Sequence, residues 1–278
     1  MWEACAEKIR GMGGQVLLGH RVKACRFDSS GKLWTVTAAT ADGEVATYEG
    51  EHLISSMPIR ELVEQIEPRL PKAAIAAGQS LKYRDFLTVG LILRERDRIT
   101  DNWIYIHDSS VKVGRIQNYK SWSAEMVPDS AYCSYGLEYF CFEGDGLWAM
   151  ADEELIALAT KEIEQVGLGR AGDVTDGCVI RQRKAYPVYD DAYARHVETV
   201  REALEGFCEN IHLVGRNGMH KYDNQDHAMM TAMLTAKNII AGETKFDVWQ
   251  VNQDAEYHES DSGAESASGL RAVPQRAR

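Results

Sequence analysis

Stretches with helical spacing of apolar residues alternate along the chain with runs of β-branched and aromatic residues bounded by turn signals. The first pattern predicts amphipathic helices and the second predicts strands. The predicted helices cover residues 2–12, 59–66, 152–166, 191–207 and 224–240. The predicted strands cover residues 16–27, 33–37, 44–48, 53–56, 87–93, 103–106, 111–116, 135–142, 174–183 and 211–214. The continuous apolar run at 87–93 is typical of a buried strand.

This order of elements predicts an α/β fold of mixed α+β character. Helices and strands intermix at both ends of the chain, whereas residues 83–142 read almost entirely as strands, which indicates a separate antiparallel sheet. We therefore assign residues 1–75 and 151–257 to one α/β domain and residues 76–150 to the sheet. The small, polar residues 258–278 are predicted to be a disordered tail.

Composition narrows the range of functions. The net charge is -11, and Lys and Arg form no cluster of the kind that neutralises phosphates, so we expect no nucleic-acid partner. No apolar run approaches about 18 residues, which excludes a membrane-spanning helix. The first ten residues resemble an amphipathic helix and not a signal peptide. The six cysteines contain no C-x-x-C pair. They suit a reducing cytoplasm, and with no His-rich motif we expect no metal site.

Residues 167–172 spell G-x-G-x-x-G, the spacing of a dinucleotide-binding loop. That motif works only where a strand precedes it and a helix follows, because the phosphates then meet the helix N-terminus. Here a predicted helix precedes the glycines and a predicted strand follows. We interpret them as a helix stop and a loop.

The most informative segment is residues 211–239, where a predicted strand ends at Gly215 and a helix begins near residues 224–226. A ligand site commonly forms where a strand ends opposite a helix N-terminus. The helix N–H groups favour an electron-rich atom such as a flavin carbonyl or a phosphate, and Arg216 adds a cation. Simpler roles stay open, with Asp226 as a helix cap and Arg216 as a surface ion-pair partner.

This segment resembles the C-terminal FAD-binding motif of the flavoproteins that include amine oxidases, protoporphyrinogen oxidases and UDP-galactopyranose mutases. The matching positions are Gly215, Arg216, Lys221, Tyr222 and Asp226. At three other positions the residue differs from the mutase form of the motif: His220, Asn224 and Gln225. Weaker similarity occurs at residues 13–22, 54–58 and 185–188, so that the resemblance covers most of residues 1–255.

The resemblance implies a partial FAD-binding Rossmann-like domain joined to an antiparallel-sheet substrate domain. The cofactor-binding residues it implies are Val22, Gly215, Arg216, Asn224, Gln225 and Asp226. The substrate-binding residues it implies are Tyr186, His220 and Tyr222, to which we add Arg115 from the predicted sheet. The chain would then be the C-terminal part of such a protein, without the N-terminal dinucleotide-binding motif. We expect either a completing N-terminal chain or a dimer.

Arginines and one carboxylate in the sheet region are further candidates. Arg94, Arg96 and Arg98 end a predicted strand, where a solvated face is the simpler reading. Arg115 lies between apolar neighbours and is the better candidate for an anionic substrate. Glu138, next to Tyr139 in an apolar strand, needs a partner or a shifted pKa.

Three functions agree with these observations. The first is an FAD-dependent oxidoreductase that acts on a small molecule in the cytoplasm, with no protein nucleophile. The second is a nucleotide-sugar mutase resembling UDP-galactopyranose mutase. The third is an inactive fragment, or a subunit that another chain completes.

Overall fold

The computed structural model describes residues 1–96 and 99–252. The chain divides into two compact units. Residues from Met1 to Leu81, together with those from Tyr189 onward, form unit 1, and Lys82–Val188 form unit 2. The predicted disordered tail at 258–278 and the candidate Arg98 lie outside the described residues.

Helices and strands follow one another in the predicted order. The strands are β1 (Arg21–Asp28), β2 (Leu33–Ala39), β3 (Val45–Gly50), β4 (Leu53–Ser55), β5 (Ile66–Glu67), β6 (Tyr83–Arg94), β7 (Trp103–Tyr105), β8 (Arg115–Asn118), β9 (Tyr132–Cys141), β10 (Val174–Pro187) and β11 (Ile211–Leu213). The helices are α1 (Trp2–Gly11), α2 (Ile59–Gln65), α3 (Lys72–Ser80), α4 (Tyr119–Trp122), α5 (Asp152–Gln165), α6 (Tyr193–Glu205), α7 (Gly215–Gly218) and α8 (Gln225–Ala241). The α/β class with an antiparallel sheet is therefore confirmed.

Unit 1 contains two small sheets. One has the strand order β3-β2-β1-β5, and the other pairs β11 with β4 in parallel. Apolar side chains from α2, α3 and α6 bury Trp34 and the neighbouring strands in one core. The indole Nε1 of Trp34 donates a hydrogen bond to Asn210 Oδ1 at 3.3 Å. This bond satisfies the one polar atom of a side chain that is otherwise buried in apolar surroundings.

Unit 2 is built on one antiparallel sheet with the strand order β10-β6-β9-β8-β7. Leu87, Val89 and Leu91 alternate along β6 and pack with α5 in a single core. Their neighbour Ile92 points to the other face and is 40% exposed. The predicted buried strand at 87–93 is therefore buried on the face towards α5, while its other face is partly exposed. An antiparallel sheet covered by one helix layer buries only one of its faces.

The structure also differs from the predicted division of the chain. Helix α5 and strand β10 belong to unit 2, because β10 pairs with β6 from Val174↔Leu93 to Pro187↔Tyr83.

The glycines at 167–172 follow α5 and precede β10, which confirms their interpretation as a helix stop, and Gly167 has a φ of +75°. Three helices, α3, α4 and α7, and the two-residue strand β5 were not predicted. Along the described part of the chain, no helix combines the length and apolarity that crossing a membrane requires.

Candidate functional site

The loop that links β11 to α8 in unit 1 is the candidate cofactor site. The chain leaves β11 through Val214, whose N–H donates to the carbonyl of Ser55 at 3.0 Å. It then turns at Gly215, which has a φ of +71°. That backbone conformation favours glycine because a Cβ would clash. The Gly215 N–H donates to Thr231 Oγ1 at 2.9 Å and so ties the turn to α8.

Gly218, at the end of α7, fixes how closely this loop approaches β4. A Cβ added at Gly218 would lie 2.5 Å from the carbonyl oxygen of Ser55 and 3.1 Å from the Cα of Ser56. Both contacts are with backbone, so a side chain at this position would force the loop away from the strand. The sequence showed a glycine here but gave no sign of its close partner 163 positions earlier.

The side chain of Arg216 stabilises the loop through contacts with two other loop residues. Its Nε donates to the backbone carbonyl of Asp223 at 2.8 Å, and its guanidinium lies 5.0 Å from the centroid of the Tyr222 ring. The structure thus brings two predicted site residues, Arg216 and Tyr222, into contact. That Arg216 binds a cofactor stays a prediction.

Helix α8 presents its N-terminus at the end of the loop. Asn224 is the N-cap, and Gln225 and Asp226 are exposed in the first turn. The first backbone N–H groups of a helix have no partner within the helix, so they attract an electron-rich oxygen. Three predicted cofactor residues therefore lie side by side. Gly215 and Arg216 begin the same loop, whereas Val22 lies on β1, in the other sheet of unit 1.

Two predicted substrate residues of the loop have opposite exposures. His220 is fully buried at 0% exposure, with a φ of +47°, and its ring centroid lies 5.8 Å from that of Tyr193. Tyr222 is 41% exposed, and its backbone N–H donates to the Tyr189 hydroxyl at 2.6 Å. Tyr189 in turn stacks on Tyr193 with ring centroids 4.0 Å apart. Of the two residues, only Tyr222 is accessible on unit 1.

Lys221 fastens the loop to the segment that follows α8. Its Nζ donates to the carbonyl of Trp249 at 2.8 Å and also to the carbonyl of Val251. Burial lowers the pKa of Lys221, against the raising effect of Asp223 and Asp247. The carbonyl contacts replace water around the half-buried ammonium group.

Asp223 is a buried carboxylate of this loop, only 2% exposed. Burial raises its pKa above the usual value, against the lowering effect of Lys221. The folded state therefore binds the Asp223 proton more tightly than the unfolded state does. It follows that this residue's contribution to stability is greatest below its unfolded pKa and is lost as the pH rises through its folded pKa.

We expect the Asp223→Asn variant to have a higher free energy of unfolding than the parent protein at pH 8. The free energies of unfolding of the two proteins, plotted against pH, should converge as the pH falls towards about 4, near the pKa of an unfolded Asp. Urea unfolding across this range measures the difference. Asp226→Asn, at an exposed position of the same segment, is the control for removing one negative charge. A constant difference for Asp223→Asn would contradict the prediction.

The face of the unit 2 sheet opposite α5 is the second candidate site. Arg115 on β8 and Glu138 on β9 are paired across the strands and form an ion pair, with residue exposures of 8% and 1%. Gln117 donates to the other carboxylate oxygen of Glu138, and Arg115 donates to the Tyr186 hydroxyl at 3.1 Å. Burial acts to lower the pKa of Arg115, but its hydrogen bonds to Tyr186 and Glu138 raise this pKa overall. The guanidinium therefore stays charged.

Aromatic rings surround this ion pair. The guanidinium carbon of Arg115 lies 4.3 Å from the centroid of the Trp103 ring, 5.3 Å from that of Phe140 and 5.9 Å from that of Phe86. Phe140 is 40% exposed, so the cluster reaches the surface of unit 2. Two predicted substrate residues, Arg115 and Tyr186, are thus brought together. The sequence indicated neither the ring cluster nor the role of Gln117, because these residues converge from five strands.

The side chain of Tyr139 lies on the opposite face of the same sheet. Its hydroxyl donates to Glu162 Oε2 at 3.0 Å, and the Glu162 carboxylate also accepts hydrogen bonds from the backbone N–H groups of Lys112 and Val113. All of these polar atoms lie next to the helix-covered core. Tyr139 is therefore a structural residue, and the adjacent Glu138 belongs to the open face.

The remaining arginine candidates line a cavity at another end of unit 2. Arg94 and Arg96 border this space of about 390 Å³, and Asp173 holds Arg96 through two hydrogen bonds of 2.5 and 2.8 Å. Arg96 is thus committed to an ion pair. In the part of the structure that is described, no group of three or more His, Cys, Asp or Glu residues is arranged to hold a metal ion.

Comparison with known proteins gives a consistent result at the level of structure. No protein-family model matches the sequence, and no curated protein matches it either. Among solved structures, a reduced UDP-galactopyranose mutase superposes with a TM-score of 0.71 at 20% sequence identity, over 87% of this chain and 50% of the mutase chain.

Two oxidases match in the same way. A protein described as a protoporphyrinogen oxidase, from Exiguobacterium, matches with a TM-score of 0.59 at 15% identity, over 79% of this chain and 48% of its own. A putrescine oxidase variant with a redesigned cofactor site matches with a TM-score of 0.61 at 16% identity, over 87% of this chain and 53% of its own. The chain spans about half the length of each of these proteins. The resemblance seen in the sequence is therefore confirmed as a shared fold: this chain has the fold of about half of a UDP-galactopyranose mutase, a protoporphyrinogen oxidase or a putrescine oxidase.

Proposed function

We propose that this protein is part of an FAD-dependent oxidoreductase that acts on a small organic molecule. The observation that carries the proposal is the turn from β11 through Gly215 into the N-terminus of α8, set in a fold shared with two oxidases and a mutase. The motif at 215–226 lies on this turn. FAD, when bound, supplies the acceptor for a hydride or an electron pair.

The residues of the loop suit a flavin. Gly215 allows the backbone to turn sharply, and the first N–H groups of α8 offer donors to a flavin carbonyl without using a side chain. Asn224 and Gln225 would border the cofactor. Arg216 would act by holding the loop in shape, because its Nε is engaged by the Asp223 carbonyl. Val22, on β1, would contact the adenine end of the cofactor.

The open face of the unit 2 sheet is the proposed substrate surface. Its aromatic rings offer apolar contact, and the buried Arg115–Glu138 pair fixes the position of the Tyr186 hydroxyl. A substrate with a flat apolar part and a hydrogen-bonding group matches this surface. Because Glu138 neutralises Arg115, the surface favours a neutral group over a strongly anionic one.

A second polypeptide segment is part of the proposal. Parallel sheets are normally covered on both faces and contain more than two strands, whereas among the described strands of unit 1 β4 pairs in parallel with β11 alone. We infer that another chain, or a second copy, pairs with this sheet and completes the cofactor site. A cytoplasmic location belongs to the same proposal and is supported by six cysteines that are all free thiols.

A nucleotide-sugar mutase is the second candidate. It is favoured by the superposition on UDP-galactopyranose mutase, whose TM-score of 0.71 exceeds those of the two oxidases, 0.59 and 0.61. Against it, His220 replaces the tyrosine of the mutase motif and is fully buried. Binding of UDP-galactose that strengthens when the flavin is reduced would favour this function over the oxidoreductase.

The cofactor is tested by titrating the purified chain with FAD and following flavin fluorescence. The informative variant is Gln225→Pro, which removes one N–H at the first helical position. Proline is tolerated there, and the preceding Asn224 already has the extended φ and ψ of -76° and 175° that a proline requires. We expect FAD binding to weaken by about 2–10-fold, the worth of one hydrogen bond. Gln225→Ala, which keeps the N–H, should bind as the parent does.

Two outcomes would contradict the proposal. Equal binding by the parent and by Gln225→Pro would place FAD elsewhere. A parent protein that neither carries nor takes up FAD at saturating concentration would exclude FAD binding by this chain alone. The titration would then be repeated with candidate partner chains identified by co-purification, and failure there would leave the fold without the proposed cofactor.

A further inference from the structure

Two histidines from distant parts of the sequence meet on unit 1. His52 immediately precedes β4 and His212 lies in the middle of β11. The Nδ1 atom of His52 lies 3.1 Å from the Nε2 atom of His212. The ring centroids are 5.3 Å apart and the ring planes are tilted by 31°. Neither residue takes part in the function proposed above.

The backbone holds the two imidazoles in this arrangement. Strands β4 and β11 pair in register, with Leu53 opposite Ile211. The N–H of Leu53 donates to the carbonyl of Asn210 at 2.9 Å, and the side chain of Asn210 donates to the carbonyl of Glu51. The residues that flank both histidines are therefore bound to one another. Such a pair of ligands is preorganised.

The distance between the two nitrogens equals that between neighbouring ligands of a metal ion. Zinc binds imidazole nitrogen at about 2.0–2.1 Å, so two such ligands at an angle of about 90–109° lie about 2.8–3.4 Å apart. A hydrogen bond between two neutral imidazoles has the same length. The donor ring becomes a ligand when its proton moves to the other nitrogen of the same ring and a metal ion takes the place of the shared proton. Imidazole is a ligand for zinc, copper and nickel, but not for magnesium or calcium.

The protonation of the pair also suits a metal. Burial and the neighbouring His52 both lower the pKa of His212 below that of a free imidazole. A neutral ring with an available lone pair is the form that binds metal. Acidification should therefore oppose binding.

We propose that His52 and His212 form a two-imidazole site for a divalent first-row transition metal such as Zn²⁺ or Ni²⁺, with water in the remaining positions. The bound metal would link β4 to β11. Since it binds the folded state, it should also stabilise that state.

The test is a calorimetric titration of the full chain with Zn²⁺ and with Ni²⁺, alongside thermal unfolding in the presence and absence of each metal. Magnesium is the control cation. The variants are His52→Gln and His212→Gln, which keep a polar side chain and remove one ligand. His107→Gln, at an exposed histidine of unit 2, is the matched control.

We expect the parent and His107→Gln to bind about one metal ion per chain and to melt at a higher temperature with it. Each of the other two variants should bind at least about 10-fold more weakly, because even loss of an outer partner of a metal ligand costs 10–100-fold. The proposal is overturned if the parent shows no saturable binding. It is overturned equally if both glutamine variants bind as the parent does, which would assign the pair to a simple hydrogen bond.

Discussion

Replacing Arg115 with methionine is expected to lower the free energy of unfolding by about 3–5 kcal/mol, because removing one partner of a buried ion pair leaves an uncompensated charge. The charge left behind is the carboxylate of Glu138, whose side chain is only 2% exposed. Gln117 would still donate to it, but a neutral amide replaces only part of the lost interaction. Urea unfolding monitored by tryptophan fluorescence measures the change.

The double variant Arg115→Met with Glu138→Met shows how much of the lost unfolding free energy comes from leaving the Glu138 carboxylate unpaired and how much from losing the ion pair itself. If the charge is responsible, the double variant should be much more stable than Arg115→Met alone, since two well-packed apolar side chains often replace a buried ion pair without loss. The control is Arg183→Met in the same unit, whose ion pair with Glu143 is exposed at 66% and 55% and should contribute only about 0–1 kcal/mol. Equal losses in Arg115→Met and Arg183→Met would contradict the prediction.

Replacing Gly218 with alanine should cost about 1–3 kcal/mol and loosen the loop between β11 and α8, since the added methyl group meets backbone that cannot rotate away. The methyl carbon would lie 2.5 Å from the carbonyl oxygen of Ser55. The N–H of Val214 donates to the same oxygen, so a shift there also strains the exit from β11. The expected result is a lower unfolding free energy together with faster amide hydrogen exchange at residues 213–226.

Gly11→Ala is the control for this substitution, since a Cβ at Gly11 meets no atom within 4 Å. It should leave both stability and the exchange of the loop unchanged or slightly improved, because alanine favours a helix. If Gly218→Ala matched this control, the close approach of α7 to β4 would not exist in solution.

Much of the fold follows from local patterns. The helix pattern with its glycine stop predicted α1, and the acidic first turn predicted α5. The strand–loop–helix at 211–240 was predicted almost to the residue. Strand β1 was predicted to begin at residue 16 but begins at Arg21, because apolar residues such as Leu18, 82% exposed, resemble a strand without pairing in one. Apolar character alone does not supply a hydrogen-bonded neighbour.

The candidate site was only partly predictable. Glu138 was expected to need a partner, and Arg115, singled out separately, supplies it, but nothing in the sequence connects the two strands. The same holds for Gly218 against Ser55 and for His52 against His212. Each of these contacts depends on strand register, which tertiary packing sets. Composition and spacing identify the residues with useful chemistry, and only the fold reveals which of them meet.

The two carbonyl contacts of Lys221 have a consequence for how the molecule opens. This ammonium group donates to the main chain at Trp249 and Val251, so these hydrogen bonds hold the segment after α8 against the loop before α8. Separating the two segments would leave a half-buried cation without these two acceptors. Residues 219–223 and 248–252 should therefore open together as one cooperative unit.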